Sequence, residues 1–265
     1  MELGLKGKVV VVTGASRGIG RAIALVFAAE GCRLALASRT PEALAAAAEE
    51  MEALGAEARH WPTDVTDPTQ VETLVENVSR FWGGIDILVN NAGGGYSKAF
   101  EAVSEEDWER IVNLNLFSAI RLSRAVLPSM KERGGGQIIN IAALSGRVPR
   151  LGQIASNAAK AALINFTESL AAEVARHRIR VNAVCPAGIL TARWQERVAR
   201  YGQEHGLPFE RAMTELAEKS IPLGRLGLPE EVASAVVFLA SERAGFITGV
   251  SIFVDGGMGR SVSIP

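Results

Sequence analysis

The chain has 265 residues, and its hydrophobic content of 48% excludes an intrinsically disordered protein. Its 28 Lys and Arg residues nearly balance 29 Asp and Glu residues, so the net charge of −1 predicts no nucleic-acid partner and no membrane-surface partner. The length predicts one domain over 1–265. Cys32 and Cys185 stand in apolar segments without metal-ligand spacing, which predicts core residues and no metal site. No apolar run is long enough to span a membrane, so a cytoplasmic protein is expected.

The segment 8–20 carries the strongest local signal. Four valines at 9–12 predict a strand that is buried on both faces, and apolar residues at helical spacing over 21–31 predict a helix. Between them stand Gly14, Gly18 and Gly20. This order places backbone N–H groups and a helix N-terminus against a pyrophosphate. The spacing differs from the commoner Gly-x-Gly-x-x-Gly, yet the flanking elements favour a dinucleotide site over an ordinary turn.

The end of the second predicted strand, 33–38, indicates which dinucleotide binds. In dinucleotide folds a carboxylate at this place accepts hydrogen bonds from the ribose 2′-hydroxyl. Here the chain offers Ser38 and Arg39 instead. An arginine suits a 2′-phosphate, and Arg17 in the glycine-rich turn supplies a second cation. The pair favours NADP (NADPH) over NAD, unless both arginines are merely solvated loop residues.

The remaining elements alternate along the chain. Helices are predicted over 41–54, 67–82, 105–130, 153–177 and 229–241, and strands over 57–61, 85–89, 137–141, 180–184 and 251–254. Short apolar strands alternating with helices predict an α/β fold, a doubly wound parallel sheet of about seven strands with helices on both faces. Ligands bind beyond the carboxyl ends of such strands, where Asp64 and Asn91 fall.

Two helical segments have a further predicted role. The helix 153–177 is apolar around nearly its whole circumference, and one sheet face cannot cover all of it. It is therefore predicted to lie in a subunit interface. The segment 190–222 is richer in charge and contains Pro208 and Pro222, and it is predicted to be an inserted helical lid over the substrate pocket.

Several motifs in order give the chain a family resemblance. They are the segments 13–20 (TGASRGIG), 64–65 (DV), 90–93 (NNAG), 181–184 (VNAV) and 255–257 (DGG), with Asn115, Pro186 and Gly249. In these the chain resembles the short-chain dehydrogenase/reductase family over almost its whole length. The resemblance implies a seven-stranded parallel sheet that binds NAD(P), a small-molecule alcohol or carbonyl substrate, and a homotetramer, or a dimer.

The resemblance also implies which residues bind the cofactor. Those for the phosphates and the adenosine ribose are Gly14, Ser16, Arg17, Gly18, Ile19 and Gly20, beside Ser38 and Arg39. Those for the adenine, the cofactor channel and the nicotinamide end are Asp64, Val65, Asn91, Ala92, Gly93, Lys160, Pro186, Ile189 and Thr191. One glycine of the family pattern after Pro186 is replaced by Ala187.

The catalytic pattern of the family is incomplete in this chain. Reductases of the family use asparagine, serine, tyrosine and lysine together, and Asn115 and Lys160 match two of these. Ser156 stands at the tyrosine position and Ala143 at the serine position. A phenol has an unperturbed pKa of about 10, whereas an aliphatic hydroxyl is a far weaker acid, so ordinary carbonyl reduction is expected to be impaired. The candidate catalytic residues are Asn115, Ser156 and Lys160.

Several ways of replacing the missing proton donor stay open. Lys160 acts through Ser156 or a water molecule in one of them, and the shorter side chain then makes room for a bulkier substrate. Ser145, Tyr96 and the pair Tyr201 and His205 are further candidates, each with a structural alternative. The leading interpretation is an NADP(H)-binding oxidoreductase with an altered proton-transfer site. The alternatives are a catalytically silent nucleotide-binding sensor or assembly subunit, and a lyase or isomerase on the same scaffold.

Overall fold

A computed structural model of the chain describes residues 2–260, and the two ends of the predicted 1–265 domain, residue 1 and 261–265, lie outside the described residues. The described residues form one seven-stranded sheet in the order β3-β2-β1-β4-β5-β6-β7, with every pair parallel. The strands are β1 (Val9–Thr13), β2 (Arg33–Ser38), β3 (Glu57–Pro62), β4 (Ile87–Asn90), β5 (Gly136–Ile141), β6 (Ile179–Pro186) and β7 (Ser251–Val254). The predicted doubly wound sheet is confirmed.

Helices cover both faces of this sheet. They are α1 (Gly18–Ala29), α2 (Pro41–Ala53), α3 (Pro68–Trp82), α4 (Glu105–Val112), α5 (Ser118–Glu132), α6 (Ile154–Val174), α7 (Ala192–His205), α8 (Phe209–Ser220) and α9 (Pro229–Ala240). Val10 and Val12 of β1 pack in the core cluster with α1, α2 and α9. Val9 and Val11 point to the opposite face and pack with α3, α5 and α6. The valine run is therefore buried on both faces, as its composition predicts.

The predicted single helix over 105–130 is wrong in two respects. A π-helical turn, Asn113–Phe117, separates α4 from α5, and Asn115 lies inside it. The helix also continues through Pro128 to Glu132. Because a proline removes only the one hydrogen bond that its own N–H would donate, neighbouring turns of an otherwise well-packed helix persist. The extra residue per turn in the π segment has no signature in hydrophobic spacing.

The predicted lid segment is helical. It contains α7 and α8, which bury a small core of their own with Val198, Ala212 and Leu216 among its members. Within residues 2–260, no helix has the length and apolar character that crossing a membrane requires. Both cysteines are buried free thiols, and burial raises the pKa of each to about 12.

A buried carboxylate at the opposite edge of the sheet from the predicted ligand site joins three elements. Asp86, just before β4, accepts a hydrogen bond from the backbone N–H of Val9 at 2.8 Å. Arg133, at the end of α5, donates to the same carboxylate from Nε at 3.0 Å and from Nη2 at 2.9 Å. The Asp86 side chain is only 11% exposed, so the carboxylate is largely shielded from water, whereas the Arg133 side chain is 35% exposed. The pair fixes β1, β4 and α5 to one another.

Replacing Asp86 should therefore destabilise the fold. Asp86→Ala leaves the Val9 N–H and the Arg133 guanidinium without their acceptor, and we expect a loss of about 2–4 kcal/mol in the free energy of unfolding. Urea denaturation measures it. Arg33→Ala, which breaks an ion pair with Glu57 whose partners are both 46% exposed, is the control and should cost less than about 1 kcal/mol. Equal losses from the two variants would contradict the anchoring role of Asp86.

Candidate active site

The glycine-rich turn lies between β1 and α1 at the carboxyl edge of the sheet. Gly14 has φ of +64°, a left-handed conformation that favours glycine. A β-carbon at Gly20 would overlap the Gly14 carbonyl group, whose carbon would be 2.8 Å away. No side chain caps the N-terminus of α1, and beside Gly18 the nearest atom to a β-carbon would be Cγ2 of Thr191 at 3.8 Å. The first N–H groups of α1 are thus free to bind an anion, which fits a pyrophosphate.

Hydrogen bonds between Thr13 at the end of β1 and the residues after β4 hold this turn in place. Thr13 Oγ1 accepts hydrogen bonds from the N–H groups of Asn91 and Ala92, both at 3.0 Å, and donates to the carbonyl oxygen of Val89. In return, Asn91 Nδ2 donates to the carbonyl oxygens of Thr13 at 2.8 Å and Gly14 at 3.2 Å. Asn91 and Ala92, which were predicted to line the cofactor channel, therefore lie against the glycine-rich turn. Thr13 was not predicted as an organising residue, although a hydroxyl at the end of a valine strand was a visible signal.

The end of β2 carries polar groups that suit a ligand. Ser38 Oγ is buried and has no hydrogen-bond partner among the described residues. Buried hydroxyl groups are almost always hydrogen-bonded, so this one fits a contact with a bound molecule. Arg39 and Arg17 are both exposed, and neither forms an ion pair within residues 2–260. Arg17 after β1 and Arg39 after β2, together with the Ser38 hydroxyl, are groups that suit a phosphorylated ribose.

The loop after β3 positions the two residues that were predicted to flank an adenine. Asp64 Oδ1 accepts hydrogen bonds from the N–H of Thr66 at 2.9 Å and from its hydroxyl at 2.7 Å. Val65 is buried, with 4% of its surface exposed. The Asp64 carboxylate thus shapes its own loop.

The loop after β6 places the three residues that were predicted for the nicotinamide end. Pro186 ends β6, and Ile189 forms an isolated parallel bridge with Gly227. Thr191 directly precedes α7 and faces Gly18 of the glycine-rich turn. The loop predicted for the nicotinamide end therefore reaches the first turn of α1.

Lys160 and Asn115 converge on Gly93. The Lys160 ammonium donates to the carbonyl oxygen of Ile141 at 2.8 Å. Asn115 Oδ1 accepts from the N–H of Gly94 at 3.0 Å. A β-carbon at Gly93 would lie 2.9 Å from Asn115 Oδ1 and 3.3 Å from Lys160 Nζ, so the three residues are adjacent. Desolvation lowers the pKa of Lys160 to about 8, which brings its proton within reach of chemistry near neutral pH.

Ser156 makes a contact that the sequence did not reveal. Its hydroxyl accepts a hydrogen bond from the N–H of Tyr96 at 2.7 Å and lies 3.4 Å from the carbonyl oxygen of the same residue, to which it donates. Ser156 is 3% exposed. The hydroxyl predicted to be catalytic therefore fastens the loop after β4 onto α6. Ala143, thirteen residues earlier, stands two residues after the end of β5 and carries no polar side chain.

The two tyrosines of the chain are engaged elsewhere. The Tyr96 hydroxyl donates to Asp107, and this bond and Lys98 hold the pKa of the Asp107 carboxyl well below its usual range. The Tyr201 hydroxyl donates to Glu215 at 3.0 Å, and its ring stacks on His205. Neither phenol hydroxyl is free in this conformation to replace a proton donor beside Lys160.

A buried polar chain lies beneath these loops. Asn90 Nδ2 donates to Asn140 Oδ1 at 2.8 Å, and Asn140 Nδ2 donates to Thr167 Oγ1 at 2.9 Å. These links run from β4 through β5 to α6, the helix that carries Lys160. Each of these residues is 5% exposed or less. This series of hydrogen bonds could not be predicted from the sequence, because its members are far apart along the polypeptide.

Comparison with known proteins shows which reductases and dehydrogenases the chain is similar to. A family model described as enoyl-(acyl carrier protein) reductase matches residues 14–259. The 3-oxoacyl-(acyl-carrier-protein) reductase FabG of Escherichia coli K12 is 41% identical over 256 residues, which cover 97% of this chain and 99% of that protein. L-Sorbose reductase from Gluconobacter frateurii, solved with NADPH and L-sorbose, has a TM-score of 0.95 and 39% identity, covering 99% and 100% of the two chains. A short-chain type dehydrogenase/reductase from Mycobacterium marinum has a TM-score of 0.87 and 35% identity, covering 99% and 98%.

The glycine-rich turn at the carboxyl edge of a doubly wound sheet defines a dinucleotide-binding α/β protein. With similarity to these proteins over nearly its whole length, the chain belongs to the short-chain dehydrogenase/reductase family of oxidoreductases.

A β-carbon at Gly93 would lie very close to the side chains of Asn115 and Lys160. Gly93→Ala forces Asn115 and Lys160 apart, and we expect a loss of about 1–3 kcal/mol in the free energy of unfolding. Gly94→Ala is the matched control because a β-carbon there would meet only Leu114, at 3.9 Å, and it should change stability by less than about 0.5 kcal/mol. Chemical denaturation compares the two. An unchanged stability of Gly93→Ala would show that the cluster is looser than described.

Proposed function

We propose that this protein is an NADP(H)-dependent oxidoreductase for a small carbonyl or alcohol substrate, with an altered proton-transfer site. The observation that carries the proposal is the convergence of Lys160 and Asn115 on Gly93, next to the loop that holds the glycine-rich turn. The family's oxidoreductases and the NADPH bound by L-sorbose reductase support it.

The residues of the turn and of the strand ends fit the dinucleotide. The N–H groups at the start of α1 bind the pyrophosphate, and Ser38, Arg39 and Arg17 bind the 2′-phosphate of NADP. NAD carries no such phosphate and leaves the two cations unpaired. When bound, the nucleotide supplies or accepts the hydride. The other residues proposed to contact it are Gly14, Ser16, Gly18, Ile19, Gly20, Asp64, Val65, Asn91, Ala92, Gly93, Lys160, Pro186, Ile189 and Thr191.

Lys160 is the proposed source of the proton. Its lowered pKa lets an ammonium give up a proton near neutral pH, which an ordinary lysine does poorly. The proton passes through Ser156 or through a water molecule, since the family's tyrosine position holds a short hydroxyl here. Asn115 borders Gly93 together with Lys160, and we propose that it holds a water molecule linked to the ammonium.

A second candidate function is a nucleotide-binding sensor or assembly subunit without turnover. The specific observation in its favour is the Ser156 hydroxyl, which is occupied by both backbone groups of Tyr96. A hydroxyl held in this way has no free donor for a substrate oxygen. The same nucleotide site serves both candidate functions, so only turnover separates them.

We also propose that α7 and α8 form a lid over the substrate and that α6 takes part in a homotetramer or dimer interface. The pair α7 and α8 has its own small core and therefore can move as a unit.

On α6, Ala158 and Ala161 are exposed and Ile154 is 41% exposed. Such small side chains allow a second helix to approach closely.

The cofactor preference is tested by Arg39→Ala. Loss of a charge-assisted contact with the 2′-phosphate should weaken NADPH binding about 10–100-fold and change NADH binding less than about 3-fold. Fluorescence titration of both nucleotides measures the two Kd values. Arg124→Ala, on the exposed side of α5, is the control and should change neither. An equal loss for both nucleotides would remove the assignment of NADP.

Turnover is tested by following NADPH absorbance with a panel of aldehydes and ketones. We expect reduction that is slower by about 10²–10⁴ than with a complete proton-transfer site. The rate should fall as the pH rises through about 8, because Lys160 then loses the proton that it donates. Lys160→Ala should abolish the reaction while leaving the fold intact. Tight NADPH binding without oxidation across the panel would instead favour the sensor.

The double variant Ser156→Tyr with Ala143→Ser is the matched positive control for that assay. It places a phenol and a hydroxyl at the two family positions and should raise the rate by about 10²–10⁴. Each single variant shows which of the two groups limits the rate. No gain from the double variant would contradict the idea that only the proton donor is altered.

A further inference from the structure

Three arginines gather where α7 meets two loops of the site. Arg193 and Arg197 stand one turn apart on α7, and Arg150 lies in the loop before α6. The Arg193 guanidinium rests on the backbone of Gly95, since a β-carbon at Gly95 would overlap it and lie 2.5 Å from its Cζ. Arg197 stacks over the ring of Trp194, with 4.7 Å from Cζ to the ring centroid. These contacts hold the side chains in place.

Two hydrogen bonds hold the loops that carry this cluster in place. The N–H of Lys98 donates to the carbonyl oxygen of Gly152 at 2.8 Å, which ties the loop after β4 to the loop before α6. Asn157 Nδ2 donates to the carbonyl oxygen of Arg150 at 2.8 Å and fastens this second loop to α6. Arg150 is thereby fixed beside the helix that carries Lys160.

The described part of the chain places no carboxylate in an ion pair with this cluster. Within residues 2–260, none of the three guanidinium groups forms an ion pair, although Arg21, Arg133 and Arg225 elsewhere each pair with a carboxylate. Arg150 is half-buried, and its guanidinium is 3.9 Å from the sulfur of Met258. Burial, with the like charges of Arg197 and Arg193, lowers the pKa of Arg150. Like charges held together without a carboxylate are unfavourable and call for an anion.

The position of the cluster links it to the proposed reaction. Gly95 follows Gly93 by two residues, and Gly93 is adjacent to Lys160 Nζ. The guanidinium of Arg193 therefore lies at the mouth of the site, on the lid side. This is a different part of the carboxyl edge from Ser38 and Arg39, because Ser38 ends β2 and Arg39 follows it, whereas the cluster borders the loops after β4 and β5.

We propose that Arg150, Arg193 and Arg197 bind an anionic group of a small substrate, either a carboxylate or a phosphate monoester, at a distance from its reacting carbonyl. The proposal rests on the oxidoreductase function above and narrows its substrate class. A guanidinium offers paired N–H donors that match two oxygens of either anion. The anion fixes the orientation of the substrate beneath α7, with the carbonyl toward Lys160. These arginines are thus specificity-determining residues.

A matched set of ketones tests this proposal by steady-state reduction with NADPH. The set has one chain length and ends in a carboxylate, a phosphate monoester or a neutral methyl ester. We expect kcat/KM to be about 10–100-fold higher for one of the anions than for the ester, and the better anion identifies the natural group. Arg193→Ala and Arg150→Ala should remove most of this preference through KM, with little change in kcat. Arg193→Lys should retain part of it.

Arg80→Ala, an exposed residue of α3, is the control and should leave the preference intact. Equal kcat/KM for the ester and both anions would overturn the proposal. An equal loss for ester and anions in Arg193→Ala would overturn it too, since the residue would then act on the fold rather than on the charge.

Direct binding separates this proposal from the proposed function. Calorimetry with inorganic phosphate and with glutarate is performed on protein saturated with NADPH, so that the nucleotide's own phosphate sites are filled. Heat with the wild type that is lost in Arg193→Ala supports the cluster even if no ketone oxidises NADPH. No heat with either anion overturns it, even if neutral ketones are reduced.

Discussion

The whole site depends on the close approach of the first turn of α1 to the end of β1, which Asn91 secures from the neighbouring strand. The Asn91 amide binds the carbonyl oxygens of Thr13 and Gly14, and Gly20 packs against that same Gly14 carbonyl group. Thr13 returns hydrogen bonds to the loop after β4. The nucleotide turn and the loop that reaches Lys160 are therefore one rigid unit, and a change in either displaces the other.

The proposed proton-transfer end of the site contains a half-buried lysine rather than a phenol. Lys160 is held by the carbonyl oxygen of Ile141, a neutral acceptor, and desolvation lowers its pKa to about 8. Ser156 is drawn to the backbone of Tyr96. The short Ser156 side chain thus has two consequences. It binds the loop after β4 to α6, and it leaves Lys160 as the titratable group of α6 that lies beside Gly93. The proposed reductase and the alternative, a nucleotide-binding protein without turnover, differ in whether Lys160 supplies a proton despite this contact.

Charge is distributed unevenly around the carboxyl edge of the sheet. The end of β2 carries Arg39 next to the unsatisfied Ser38 hydroxyl, and the lid side carries the arginine cluster of Arg150, Arg193 and Arg197. The near-zero net charge of the chain hides both groups, since carboxylates elsewhere compensate them. A dinucleotide phosphate at one end and an anionic substrate at the other would leave the reacting carbon between them, beside Gly93.

The class of fold could be predicted from the sequence alone, because short apolar strands that alternate with helices are typical of a parallel sheet covered by helices. The glycine-rich turn and Asn91 were predicted from their places after strands, whereas Asn115 and Lys160 were predicted from the family resemblance. Three features became visible only in the folded chain. Asn115 lies in a π-helical turn, the Ser156 hydroxyl binds the backbone of Tyr96, and the Arg193 guanidinium contacts Gly95. Those facts depend on which distant backbone lies opposite a side chain, and spacing along one chain carries no record of that.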